Sequence, residues 1–200
     1  MKSKGRMDKL ILASQSEVRQ KILKDNNILC EAIPSKLDEE PVKKDLIMNK
    51  INPEKIAQKL ASLKSKKISD KFINRLVLGA DSLINLQGEL ISKPTNRDEA
   101  LKILKKLNGK LHHLISSVSI HKNGKEIWNY TDRASLTMKN FNDKELETYL
   151  SKINDKELYA YGVYQIEADG RSLFSKIEGD EDTIMGLPVK QIKEYLSKLK

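Results

Sequence analysis

The stretch Lys9-Leu10-Ile11-Leu12-Ala13-Ser14-Gln15-Ser16-Glu17-Val18-Arg19 changes period within eleven residues: an apolar block, a turn of small polar residues, then helical spacing through Ile22 and Leu23. An apolar block of this length bounded by small turn formers reads as a buried strand, Lys9 to Ala13. Ser14 or Ser16 supplies an N-cap for a helix from about Ser16 to Lys24. The alternation repeats downstream: strands are expected at Ile28 to Ile33 and Leu76 to Gly79, each beside a helical segment. Strand, turn and helix in succession define an α/β protein.

Asn52-Pro53 offers a cap and a preset first turn, and Ile56, Leu60 and Leu63 follow at helical spacing, with Lys64 on the polar face. Asn96-Arg97-Asp98-Glu99 has a capping-box pattern, opening a helix that buries Leu101, Leu104 and Leu107 and stops at Gly109. The period then becomes that of a strand. Leu111 to His121 and Glu126 to Met138 flank Asn123-Gly124, a strong hairpin signal. Asn142 or Asp143 caps a helix through about Leu150, Tyr161 to Ile166 reads as extended, and Pro188 starts a helix turning Ile192, Leu196 and Leu199 inward. The expected architecture is a mixed β-sheet with flanking helices, one domain over residues 1–200 with two lobes around a cleft.

Composition narrows the classes. With 38% hydrophobic and 32% charged residues the chain is that of a globular protein. No apolar run approaches the roughly 20 residues of a bilayer helix, so no membrane span is expected. Lys2, Lys4 and Arg6 precede an apolar block too short for a signal-peptide core. One cysteine, Cys30, excludes an intramolecular disulfide and fits a reducing compartment, so a cytoplasmic location is expected. The net charge of +9 brings an acidic partner into consideration, whether nucleic acid, anionic lipid or a phosphorylated small molecule, and does not choose among them. Yet 31 of the 37 basic residues are Lys, they are scattered among acids, and aromatics make up 5%. Base reading leans on Arg and single-strand binding on aromatic platforms, so nucleic acid is disfavoured.

Several segments carry candidate chemistry. The turn Ser14 to Arg19 can bind an anion through backbone N–H groups and the helix dipole, or merely cap the helix. Gly79-Ala80-Asp81-Ser82 puts a carboxylate at the expected strand end, a possible Mg²⁺ ligand or general base, or an ordinary turn residue. Asp38-Glu39-Glu40, in a loop between Pro34 and Pro41, offers metal carboxylates or a solvated charge run. Lys93, in Ser92-Lys93-Pro94, is held extended by the proline and can face a phosphate or solvent. His112 and His113 point to opposite faces of one strand and do not chelate together. Trp128 is expected to line core or cleft. No Walker pattern, dinucleotide fingerprint or serine elbow occurs.

In order along the chain, these blocks resemble the Maf family of nucleoside triphosphate pyrophosphatases, also associated with septum formation. They are Leu10 to Ser16 with Arg19, Leu37-Asp38-Glu39, Leu60-Ala61 with Lys64, and Gly79 to Ser82. Ser92-Lys93-Pro94, Leu107 to His112, Tyr161 to Glu167, Ile177-Glu178-Gly179 and Gly186-Leu187-Pro188 follow. The resemblance implies an inosine triphosphatase-like fold with a twisted sheet, a nucleotide cleft, a divalent cation (Mg²⁺ or Mn²⁺) and a homodimer. It implies hydrolysis between the α and β phosphates to a nucleoside monophosphate and pyrophosphate. In that reading Lys64, Lys93, Arg19 and the amides after Ser14 neutralise the polyphosphate. Asp81 is the base or the metal-held orienter of water, and Glu39, ahead of Asp38, completes the metal's carboxylates. Ser14, Ser16, Val18, Ser82 and Glu167 contact substrate.

Departures from the family pattern bear on specificity. Glu17 stands where Pro is common, Ser82 replaces a frequent Thr, and Val18 is neither the Arg of the dTTP/UTP group nor the Trp of the 7-methyl-GTP group. Glu167 stands where the pyrimidine group has Gln. A carboxylate only accepts, and guanine presents N1–H and an amino group as donors, so the expectation is a guanine-type or modified nucleotide, nearest the 7-methyl-GTP branch. The alternative is a nucleic-acid-binding or nucleotide-sensing regulator of cell division without turnover.

Overall fold

The computed structural model describes residues 9–199; the segment with Lys2, Lys4 and Arg6 lies outside them. In chain order the elements are β1 (Leu10–Leu12), α1 (Glu17–Asp25), β2 (Cys30–Ala32), α2 (Glu39–Met48), α3 (Pro53–Ser69), β3 (Leu76–Leu86) and β4 (Glu89–Ile91). There follow α4 (Arg97–Leu107), β5 (Leu111–Lys122), β6 (Lys125–Met138), α5 (Asp143–Ser151) and α6 (Asp155–Tyr161). A 3-10 turn (Asp169–Leu173), β7 (Phe174–Glu178), α7 (Glu181–Ile184) and α8 (Val189–Ser197) complete the chain. The strands form a seven-stranded mixed sheet in the order β2-β1-β3-β5-β6-β7, with β4 on β3. No helix among the described residues is long and apolar enough to cross a membrane.

The chain divides into two compact units: one of residues up to Asp81 with Ser116–Asp132 and from Gly186 on, the other of Ser82–Ile115 and Arg133–Met185. In the first, β1 pairs in parallel with β2 and β3, Ile11 opposite Glu31 and Val77. Ile11, Ala13, Ile68 and Val77 form its inner cluster, with Ile33 and Phe72 against it. Helix α3 lies on β3 at Gly79, where an added Cβ would stand 2.2 Å from the Ala61 carbonyl oxygen and 2.9 Å from Ser65 Cβ. Only a residue without a side chain permits that approach. Asn123 and Gly124, at φ 52° and 75°, make the hairpin turn between β5 and β6, the left-handed pair a two-residue loop demands.

In the second unit Leu104, Leu107, Leu136, Leu158 and Leu173 are buried in one apolar cluster. Asn142 makes the full capping box with Glu145 at the start of α5. Asn96 accepts from Glu99 N, but the Glu99 carboxylate takes the Thr95 amide and hydroxyl at 2.7 Å, leaving half of the expected box.

Five expectations are corrected. Tyr161 to Ile166 is not extended: Tyr161 ends α6, and Gly162 turns the chain at φ 95°. Asp38-Glu39-Glu40 is not a loop, since Glu39 begins α2; Pro41 sits in the first turn, where no intrahelical N–H is required. Asp81 does not end a strand, because β3 continues to Leu86. Lys64 is buried rather than on a solvated face, and Leu199 lies past the end of α8, 48% exposed. Cys30 is half-buried on β2, its thiol pushed up by burial despite Lys9.

Candidate active site

The site begins where β1 ends. Ala13 N donates to the Leu78 carbonyl at 2.8 Å, fixing the strand end against β3. The chain then turns through Ser14 to Ser16. Ser14 Oγ accepts from Ser16 N at 3.2 Å, and Ser16 Oγ accepts from Arg19 N at 3.3 Å, so Ser16 is the N-cap of α1. The capping reading therefore holds, and it leaves the turn at a helix N-terminus.

Arg19 is not a fork standing clear of the protein. Its Nε donates to the Gly186 carbonyl at 2.9 Å, and Nη1 donates to the Ala80 carbonyl at 3.1 Å and to Ser14 Oγ at 3.4 Å. One guanidinium thus ties the turn after β1 to β3 and to the chain before α8. Burial lowers its pKa while the charges of Asp81 and Glu39 raise it, and the group remains a cation.

Lys64 and Asp81 form the centre. Lys64 Nζ lies 2.7 Å from Asp81 Oδ1 and 2.9 Å from Glu39 Oε1, with the Ala80 carbonyl at 3.5 Å. The lysine is 8% exposed and the aspartate 5%, whereas the Glu39 side chain is 38% exposed. Asp81 Oδ2 is buried without a hydrogen-bond partner. Burial pushes the Asp81 carboxyl above the usual carboxylate range; the Lys64 ammonium opposes this, Glu39 adds to it and Arg19 opposes it. A buried carboxylate with one oxygen held by a cation and the other bare is a strong acceptor for a water proton or a metal ion.

Ser14, Ser16, Arg19, Glu39, Lys64 and Asp81 thus belong to the first unit, with half-buried Val18 on α1. Ser82, Lys93 and Glu167 belong to the second. There Lys93, exposed after β4, donates from Nζ to the Ala160 carbonyl at 2.5 Å, and Glu167 is exposed. Asp38 is exposed at the N-cap position of α2 without a side-chain capping bond. Among the described residues no three His, Cys, Asp or Glu gather into a metal cage; the two carboxylates that meet at Lys64 are Glu39 and Asp81. Sequence reasoning missed the Gly186 and Ala80 carbonyls as anchors of Arg19, since backbone oxygens leave no mark on residue type.

An α/β chain with a buried lysine clamped between two carboxylates, beside a serine-lined helix N-terminus, is equipped to handle a phosphorylated ligand. The chain belongs to the Maf-like protein family, whose model matches residues 9–199. It is 62% identical over 191 residues to a nucleoside triphosphate pyrophosphatase of Pelagibacter ubique (strain HTCC1062), covering 96% of this chain and 98% of that one. It is 39% identical over 185 residues to one of Caulobacter vibrioides, covering 92% of each. Among solved structures, the Staphylococcus aureus Ham1 protein shows a distant likeness, with 17% identity, a TM-score of 0.41, and coverage of 65% of this chain and 71% of that one.

Proposed function

We propose that this chain is a metal-dependent nucleoside triphosphate pyrophosphatase that hydrolyses the bond between the α and β phosphates. The carrying observation is the buried Lys64 shared by Asp81 and Glu39, with Asp81 Oδ2 unpartnered; the names of the relatives support the same reading. A water directed by Asp81, acting as general base or as holder of the cation, attacks the α phosphorus through its oxygen and gives up a proton to Asp81 or to solvent. The bond from that phosphorus to the bridging oxygen breaks, and pyrophosphate leaves with the electron pair. Lys64, positioned by two carboxylates, neutralises charge on the polyphosphate, and the amides after Ser14 bind its oxygens. No covalent nucleophile is required.

The residues fit a hard divalent cation. Asp81 Oδ2 is an orphaned buried acceptor, and Mg²⁺ takes one or two carboxylates beside phosphate oxygens and water. Glu39 and Asp81 would hold it, and it would spread the charge of the leaving pyrophosphate. By the family pattern Lys93 contributes to phosphate neutralisation and Ser82 to substrate contact. Glu167, an acceptor only, favours guanine-type bases with their N1–H and amino donors, 7-methyl-GTP among them, and Val18 is the second base-selecting position. The reading carries with it a cytoplasmic homodimer.

Incubation with Mg²⁺ and a panel of 7-methyl-GTP, GTP, ITP, dTTP and UTP, beside Asp81→Ala, tests it. Monophosphate and pyrophosphate should appear together, vanish in the variant, and be fastest for guanine-type bases. Equal turnover of dTTP and 7-methyl-GTP would remove the base assignment. No turnover of any nucleotide would favour a binding or sensing role.

A further inference from the structure

The face of α3 that meets the sheet carries a polar network, buried at Ser65, Ser119 and His121 and exposed at Glu126 and Asn129, that the reaction scheme above does not use. Ser65 adjoins Lys64 in sequence, is fully buried, and packs at Gly79. Its Oγ lies 2.8 Å from His121 Nδ1 and 3.3 Å from Ser119 Oγ, and Ser119 Oγ lies 3.2 Å from His121 Nδ1. Ser119 donates to Glu126 Oε2 at 2.6 Å. Glu126 Oε1 accepts from Asn129 at 2.8 Å, and Asn129 Oδ1 accepts from Gln58 at 2.7 Å, back on α3. Ser62, also on α3, bonds Glu126 as well. The circuit therefore leaves α3, crosses β5 and β6, and returns to α3, with every member in the first unit.

Donor accounting orients the circuit. The single Ser119 hydrogen goes to Glu126. The single Ser65 hydrogen has the carbonyls of Ala61 at 3.1 Å and Ser62 at 3.0 Å to receive it. Both hydroxyl oxygens are then acceptors, which puts the donor on His121 Nδ1–H. This imidazole fastens α3 to β5 one residue from the Lys64 backbone. Seen from Lys64, the side chain is held by Asp81 and Glu39, and the helix beneath it is held by His121.

We infer that His121, acting through Ser65, is a positioning residue for Lys64, setting the height of the ammonium over Asp81 and so serving the chemical step rather than substrate capture. The inference rests on the proposed role of Lys64. A displaced ammonium would still attract a polyphosphate, but would no longer stand where charge develops. Misplacement on the order of 1 Å costs about 10- to 100-fold in rate.

Four variants decide it, assayed below their unfolding transitions as followed by circular dichroism. Ser65→Ala and His121→Phe should lose about 10- to 100-fold in kcat with KM within about 3-fold of the parent. His121→Asn, whose amide N–H can replace Nδ1–H, should recover kcat to within about 3-fold of the parent. Lys64→Met should be nearly inactive. A folded Ser65→Ala with parental kcat overturns the inference, as does a rise in KM alone or a His121→Asn as slow as His121→Phe. If His121→Phe does not fold, Ser65→Ala and His121→Asn carry the decision. Activity retained by Lys64→Met would sink the role of Lys64 and the inference with it, whereas a dead Lys64→Met beside a fully active Ser65→Ala sinks the inference alone.

Discussion

Lys64 Nζ and Asp81 Oδ1 stand 2.7 Å apart, the one on α3 and the other on β3, both almost wholly withdrawn from water. The pair depends on Gly79, two residues before Asp81, which lets the α3 backbone at Ala61 and Ser65 lie against the strand. Packing, charge and chemistry meet at this crossing.

Removing the cation takes from Asp81 and Glu39 their shared ion-pair partner and leaves Arg19 as the cation still acting on them. Truncating one partner of a buried pair costs about 3–5 kcal/mol, so Lys64→Met should be destabilised by that order at pH 8 in urea unfolding. The loss should shrink as pH falls and the carboxyl protonates, and Lys64→Met combined with Asp81→Asn should recover part of it.

Gly79→Ala places a methyl against a backbone oxygen, which cannot rotate away. Overpacking of this kind costs about 1–3 kcal/mol. Thermal unfolding should shift down, and turnover should fall because α3 carries Lys64 away from β3. A variant with parental stability and rate would mean the crossing is looser than the 2.2 Å approach indicates.

The raised Asp81 carboxyl has two consequences of opposite sign. In the metal-free protein the carboxyl ionises only above the ordinary carboxylate value of 3.8, so Mg²⁺ binding, which needs the ionised form, should strengthen as pH rises above that value. For stability, the fold binds the Asp81 proton more tightly than the unfolded chain does, so this group's contribution falls as pH rises across the same window. Mg²⁺ affinity that does not change with pH above 3.8 would deny Asp81 the raised carboxyl.

His112 titrates in the other direction. It is fully buried in the second unit, with Nε2 3.0 Å from the Tyr164 hydroxyl, and burial pushes it from 6.5 down to about 4. The unfolded chain binds the proton first, so stability from this group is complete above 6.5 and is lost as pH falls toward 4. The full difference is about 3 kcal/mol. His112→Gln should flatten that part of the stability profile, measured by urea unfolding between pH 7 and pH 4.

Glu39 is the more exposed carboxylate of the pair. Glu39→Gln should fold as the parent does, yet require at least about 10-fold more Mg²⁺ for half-maximal turnover, given what ligand-sphere changes cost. Chelation should silence the parent enzyme, and added Mg²⁺ should restore it.

Local patterns in the sequence carried most of the fold. The strand, turn and helix at Lys9 to Lys24, the Asn52-Pro53 and Asn142 caps and the Asn123-Gly124 turn all form as residue type dictates. Helix α2 was hidden because Pro34 and Pro41 read as loop boundaries, although a first-turn proline suits a helix. The burial of Lys64 was illegible because helical periodicity assigns a lysine to solvent, and only tertiary pairing with Asp81 overrides that. The continuation of β3 past Gly79 was masked by the glycine itself, whose purpose is close packing rather than a turn. Ser65 and His121 lie 56 positions apart, and their contact had no local signature beyond polar residues inside a buried strand.

In the proposed reaction water attacks the α phosphorus with the help of Asp81. Turnover of the best nucleotide in heavy-oxygen water, with both products analysed by mass spectrometry, tests it most directly. One labelled oxygen should appear in the nucleoside monophosphate, the pyrophosphate should be unlabelled, and Asp81→Asn should not turn over. Label in the pyrophosphate, release of orthophosphate with a nucleoside diphosphate, or undiminished turnover in the variant would contradict it.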